Sequence, residues 1–249
     1  MPSEAKELFF FDRHWNRGPE WYSRFFQGCP PGKICGEATP GYFNHPDAPA
    51  RINALIPDVK LIFIFRNPIE RTVSLYFHMR ALGKTRLPFE EALQRFPNLI
   101  DEGLYHHHLM RFERLFGRKA LLPLIAENVR ATGPDGLAPL FRFLNVDDRF
   151  RPPSFHERTY ERREPRGHLL AKAAFRVATA LRDMGLHKLT DAIKSGGAER
   201  LVFKGRPIKK FTMDTATAER LRAVYREDAR RLGDYLQQDL TTLWNLEPD

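Results

Sequence analysis

The stretch Val59-Lys60-Leu61-Ile62-Phe63-Ile64-Phe65-Arg66-Asn67-Pro68-Ile69-Glu70-Arg71-Thr72-Val73-Ser74-Leu75-Tyr76-Phe77 contains a complete passage from one regular structure to another. Its first half is a short, continuous apolar run, the pattern of a strand covered on both faces. Its second half opens a helix. Asn67 is a capping residue, Pro68 suits the first helical position, and Glu70 lies three residues past the cap, where its carboxylate can reach back to the cap's backbone N–H. Ile69, Val73, Tyr76 and Phe77 then recur at helical spacing and are expected to face the sheet.

Working outward, Ala120-Leu121-Leu122-Pro123-Leu124-Ile125-Ala126 reads as a second buried strand, with Pro123 placing it near an edge. Gly136 to Val146 follows as a helix with Leu137, Leu140, Phe141 and Leu144 on one stripe. Lys33 to Ala38 is a weaker strand pattern ending at Thr39-Pro40. Near the end of the sequence, Thr215 to Asp239 puts Leu221, Val224, Tyr225, Ala229, Leu232 and Leu236 on one face of a long amphipathic helix. Strands alternating with helices point to an α/β fold with a mainly parallel sheet. With 249 residues, 42% hydrophobic and 12% aromatic, one domain over 1–249 is the expected organisation. The charge-dense stretch 157–166 and Ser195-Gly196-Gly197 read as excursions within it.

Lys and Arg number 40 against 31 Asp and Glu, a net +9 that favours an anionic partner: a nucleotide, a polysaccharide, a nucleic acid or a membrane surface. The basic clusters Arg162-Arg163, Arg166 and Lys209-Lys210 come with no nucleic-acid-binding motif, so nucleic acid is set aside. No apolar run approaches the roughly 18 to 20 residues that span a bilayer, and Met1 to Glu7 lacks the apolar stretch of a signal peptide. Cys29 and Cys35 are too few for a disulfide framework or a four-sulfur zinc site. Free, partly buried thiols and a cytoplasmic location are therefore expected. His106-His107-His108 invites a metal reading, but adjacent helical side chains point about 100° apart and cannot converge on one ion. An amphipathic helix with no metal is the expectation.

In parallel α/β sheets, ligands bind beyond the carboxyl ends of the strands, where helix N-termini present N–H groups and partial positive charge. Arg66 occupies that place. Ser74 lies seven residues past Asn67, almost two full turns, so Arg66 and Ser74 can reach one anion by a charged fork and a hydroxyl. Read from this segment alone, the alternative is equally open: Arg66 pairs with an acid such as Glu70 and Ser74 points to solvent.

Arg66-Asn67-Pro68-Ile69-Glu70-Arg71-Thr72-Val73-Ser74-Leu75-Tyr76 resembles the 3′-phosphate-binding motif of sulfotransferases that use 3′-phosphoadenosine 5′-phosphosulfate (PAPS), especially bacterial and heparan sulfate ones. Three further segments resemble that family in the same order. Glu7-Leu8-Phe9-Phe10-Phe11-Asp12 with Trp21-Tyr22 is similar to its acceptor-side segment, Gly36-Glu37-Ala38-Thr39-Pro40-Gly41-Tyr42-Phe43 to its next strand and loop, and Lys204-Gly205-Arg206-Pro207 to its late basic loop. The stretch 151–202 carries little of the likeness. The resemblance implies a three-layer α/β/α fold like that of P-loop NTPases and a sulfuryl transfer to a hydroxyl or amine, a carbohydrate being one candidate acceptor. It implies Glu7 as general base, Arg66, Ser74, Lys204, Gly205 and Arg206 on the nucleotide, and Asp12, Glu37, Thr39 and Pro40 towards the acceptor. Without the family, Glu7 reads as an exposed glutamate near a chain end. Phe9 stands where many heparan-modifying members carry histidine, and Ala38 where they carry lysine, which tells against a heparan-like acceptor.

Such enzymes open with a strand, a Gly-rich turn bearing Lys and Thr or Ser, and a helix that together hold the 5′-phosphosulfate. The sequence begins past that point, so the first strand, phosphate loop and first helix are expected to be missing. Gly28-Cys29-Pro30-Pro31-Gly32-Lys33-Ile34 is no substitute: it falls one residue short of such a loop, ends in Ile, and its prolines remove backbone donors. Leaving-group stabilisation dominates this type of transfer, so nucleotide binding is expected to survive while turnover fails. The second class of function is a nucleotide- or polyanion-binding module without catalysis.

Overall fold

The computed structural model describes residues 7–156, 168–183 and 211–247. Eleven α-helical segments and two strands follow in order among them: α1 (Pro19–Ser23), α2 (Ala48–Leu55), β1 (Leu61–Phe65), α3 (Pro68–Ala81), α4 (Phe89–Arg95), α5 (Asn98–Asp101), α6 (Tyr105–Phe116), β2 (Leu121–Ile125), α7 (Ala126–Thr132), α8 (Ala138–Phe143), α9 (His168–Asp183), α10 (Thr215–Leu236) and α11 (Leu240–Leu243). The protein is α/β, and its two strands run parallel in a register that sets Leu61 beside Leu121 and Phe65 beside Ile125. Pro123 is accommodated because, among the described residues, β2 is paired along one edge only.

Asn67 caps α3 as expected: its side-chain oxygen accepts from the N–H groups of Ile69 at 2.9 Å and Glu70 at 3.2 Å. The other half of the expected box is replaced. The Asn67 N–H goes to Glu127 Oε1 at 2.9 Å, a carboxylate on the neighbouring α7, and not to Glu70. A partner from the next strand–helix corner ties two helices together, which a local box cannot do. Tyr76 and Phe77 are buried but pack on Phe89 and Phe211, so this face of α3 meets helical and loop residues instead of the sheet.

α10 buries Leu221, Tyr225, Ala229 and Leu232, while Val224, expected on the same stripe, is exposed. Gly136 to Val146 forms a 3-10 turn over Gly133–Leu137 and then the short α8, with no fully buried residue. Lys33 to Ala38 forms no strand. It leaves a loop closed by a Cys29–Cys35 disulfide, with Cα atoms 6.1 Å apart, which replaces the expected free thiols. The paired cysteines lose their weight as a sign of a reducing compartment. The buried side chains form one contiguous cluster that spans Leu8 to Leu246. Among the described residues no helix is long and apolar enough to cross a membrane. One sheet face stays open: Ile62 is 39% and Ile64 66% exposed.

Candidate functional site

The strand end, the cap and α3 build the first half of the site. Arg66 leaves β1 half-buried, and Ser74 lies half-buried two turns along α3. Three contacts fix this corner from outside. Asn67 Nδ2 donates to the Trp244 carbonyl at 2.9 Å, Glu127 Oε2 receives the Trp244 indole N–H at 3.4 Å, and Thr72 Oγ1 stands 2.7 Å from the Tyr225 hydroxyl of α10. Arg71, one turn before Ser74, pairs with Glu102. Burial raises the Tyr105 hydroxyl pKa, but the positive charges of Arg71 and Arg66 pull it back, as does a hydrogen bond from the Arg66 backbone. The Arg66 and Arg71 charges are thus both felt at the Tyr105 hydroxyl, next to the end of β1.

Glu7, the expected base, precedes a buried segment. It is half-buried and continues into the buried residues Leu8, Phe9, Phe10 and Phe11. The sequence pattern did not single out His78, whose ring feels the Glu7 charge. His78, at the last turn of α3 and four residues past Ser74, has its pKa lowered by burial and by Lys84, against a rise caused by the Glu7 carboxylate. Burial and the Arg13 charge likewise lower the Lys84 pKa, with Glu102 acting against them. The i,i+4 spacing of Ser74 and His78 was the available signal, because it places both on one face. α3 thus runs from the Arg66 corner at its start to the surroundings of Glu7 at its end.

The remaining expected residues lie mostly inward. Asp12 Oδ1 accepts from Arg13 N–H at 2.8 Å, and its other oxygen fits against Gly41, where a Cβ would come within 3.1 Å. Thr39 is buried, Pro40 is exposed at the start of the turn Pro40–Tyr42, and the Glu37 carboxylate accepts from Thr39 Oγ1 at 2.6 Å and from the Tyr42 hydroxyl at 3.1 Å. Lys204, Gly205 and Arg206 lie outside the described residues, as do the basic clusters at Arg162-Arg163, Arg166 and Lys209-Lys210. Gly28 to Ile34 is a surface turn within the disulfide loop. His108 is buried and bonded to Asp101 and Arg111 and so serves the α6 packing, while His106 is half-buried and His107 exposed.

A parallel strand pair with a capped helix at the end of β1 is the arrangement of an α/β protein whose strand ends face a ligand site. The chain belongs to the sulfotransferase-domain family, whose model matches residues 3–233. It is 39% identical over 122 residues to human heparan sulfate glucosamine 3-O-sulfotransferase 6, covering 45% of this chain and 35% of that protein. It is 35% identical over 151 residues to human heparan sulfate glucosamine 3-O-sulfotransferase 3B1, covering 56% and 38%. The aligned region spans little more than a third of the length of these relatives. The crystal structure of a sulfotransferase from Alicyclobacillus acidocaldarius superposes with a TM-score of 0.66 at 21% identity, over 98% of this chain and 87% of that one, which shows a common fold.

Proposed function

We propose that the protein transfers a sulfuryl group from PAPS to a hydroxyl or amine of an acceptor, with a carbohydrate as the acceptor class. Arg66 and Ser74 take the 3′-phosphate, Glu7 removes the acceptor's proton, and the Lys204-Gly205-Arg206 loop closes over the nucleotide. The observation that carries this reading is the Arg66 corner: Arg66 directly precedes an α3 start whose Asn67 is held by Glu127 and Trp244 and whose Thr72 is held by Tyr225, with Ser74 two turns along the same helix. Family membership and the names of the 3-O-sulfotransferases support the carbohydrate class. Phe9 and Ala38 argue that the acceptor differs from heparan sulfate. Proton removal by a carboxylate makes the acceptor a better nucleophile toward sulfur.

One observation favours a second reading, nucleotide binding without turnover. Among the described residues β1 pairs directly with β2, and no strand between them brings a phosphate loop to this end of the sheet. Calorimetry with 3′-phosphoadenosine 5′-phosphate against 5′-AMP, alongside a sulfuryl-transfer assay on a carbohydrate panel, separates the two. Preference for the bisphosphate together with transfer abolished by Glu7→Gln supports the enzyme. The same preference without transfer supports the binding module, and equal affinity for both nucleotides overturns each.

A further inference from the structure

Gly36-Glu37-Ala38-Thr39-Pro40-Gly41-Tyr42 gathers a carboxylate and two hydroxyls within six residues, all turned toward the segment that carries Glu7. Glu37 Oε2 lies 2.6 Å from Thr39 Oγ1 and 3.2 Å from the Tyr42 hydroxyl, and it receives the Leu8 N–H at 3.4 Å. Oε1 lies 3.1 Å from the same Tyr42 hydroxyl, and Tyr22 adds a further side-chain bond. Every partner is a donor. An ionised carboxylate only accepts, so it obliges Thr39 and Tyr42 to spend their single protons on it.

Their lone pairs are then free for the backbone. Thr39 Oγ1 accepts from Leu8 N–H at 3.1 Å, and the Tyr42 hydroxyl accepts from Phe10 N–H at 2.8 Å. These two amides bracket Phe9, whose φ of 51° is a left-handed conformation that a bulky side chain adopts only when its surroundings impose it. Burial raises the Glu37 pKa, and the bonds from Thr39, Tyr22, Tyr42 and Leu8 oppose that rise.

We propose that Glu37 is a positioning residue for sulfuryl transfer: by fixing the direction of the Thr39 and Tyr42 hydroxyls it locks Leu8 to Phe10 and thereby aims Glu7 at the acceptor. The inference deepens the proposed function and rests on Glu7 being the base. An amide at position 37 has a donating end, which points a proton at one hydroxyl and breaks the order. Displacing a reacting group by about 1 Å is enough to cost roughly 100-fold in rate.

The test pairs backbone amide exchange with steady-state kinetics on wild type, Glu37→Gln and Tyr42→Phe. Asp228→Asn serves as a control, because Asp228 accepts the His106 and His107 N–H groups at the start of α6, away from this network. Glu37→Gln is expected to speed exchange at Leu8 and Phe10 by about tenfold or more and to lower kcat by about 10- to 100-fold. KM for PAPS should stay within about twofold. Tyr42→Phe, the milder change, should act in the same direction at Phe10, and the double variant should fall short of the sum of the two. Asp228→Asn should lower stability and leave kcat alone. Unchanged exchange at Leu8 and Phe10 overturns the anchoring, and faster exchange with unchanged kcat, or KM rising in step, overturns the link to catalysis. A wild-type chain without transfer activity removes the proposed function and the catalytic half of this inference together, while the exchange measurement still decides the anchoring.

Discussion

The carboxylate of Glu127 accepts the backbone N–H of Asn67 at 2.9 Å, so the helix that follows β2 closes the cap of the helix that follows β1. The same side chain receives the Trp244 indole N–H, and Asn67 in turn donates to the Trp244 carbonyl. Residues far apart in sequence thereby converge on the strand end beside Arg66. Replacing Glu127 by Ala leaves the half-buried Asn67 N–H without its acceptor, a loss of about 1 kcal/mol. The expected result is a melting temperature several degrees lower and weaker binding of the 3′,5′-bisphosphate nucleotide. A Glu127→Ala protein that melts and binds as wild type would show that the cap is self-sufficient.

At the anion itself, Arg66→Ala removes a charge-assisted contact worth about 1.5 to 3 kcal/mol, so bisphosphate affinity should fall by about tenfold or more. Ser74→Ala removes one neutral hydroxyl and should cost less. Calorimetry on both variants checks the order, and equal losses, or none for Arg66→Ala, would count against a shared phosphate.

Acid stability should report His108. Arg111 Nη1, which can only donate, lies 3.2 Å from His108 Nδ1, so that nitrogen is the acceptor and the ring proton sits on Nε2 toward the Asp101 carbonyl at 3.0 Å. Burial holds the His108 pKa down, with Asp101 opposing and His107 and Arg111 reinforcing. Because the folded pKa is depressed below the unfolded value near 6.5, the neutral ring's contribution is whole above about pH 6.5 and is lost as the pH falls through the folded value. Glu37 and Asp228, whose pKa values burial raises, carry the opposite sign: their contribution is present below about pH 4 and declines as the pH rises. Between about pH 7.5 and pH 5.5, melting should therefore drop in wild type more steeply than in His108→Gln. Parallel slopes would show that His108 titrates alike in both states.

The open sheet face predicts association. Ile64 is 66% exposed and Ile62 39%, side by side on one face of β1, next to the half-buried Leu122 and Leu124 of β2. Apolar strand surface of this kind attracts other chains. Sedimentation should show concentration-dependent association that Ile64→Lys weakens. A monodisperse wild-type monomer contradicts the expectation.

β1, the Asn67 cap and α3 were legible in the sequence because each is encoded within a few residues: an unbroken apolar run, a side chain that can accept two N–H groups, a proline at the first helical position. α10 was legible for the same reason, through its repeating apolar stripe. Val224 departs from that stripe because exposure depends on what packs opposite, which periodicity does not record. Glu7, Arg66 and Ser74 were legible as residue types in family order, but not what surrounds them.

Local pattern also failed where partners compete. Glu70 lay at the right spacing to close its own cap, yet Glu127, 60 positions away, takes the Asn67 N–H. Lys33 to Ala38 had a strand's composition, but a disulfide and the side chains of Glu37, Thr39 and Tyr42 claim that region for the support of Leu8 and Phe10. The sequence by itself determined which short segments become strand, cap and helix, since those choices depend on neighbours within one or two turns. Only the tertiary structure decided where Glu37 sends its bonds, how His78 comes beside Glu7 and what holds Asn67, because hydrogen-bond partners are selected by proximity in space, and there Asn67 meets Trp244 across 177 positions of chain.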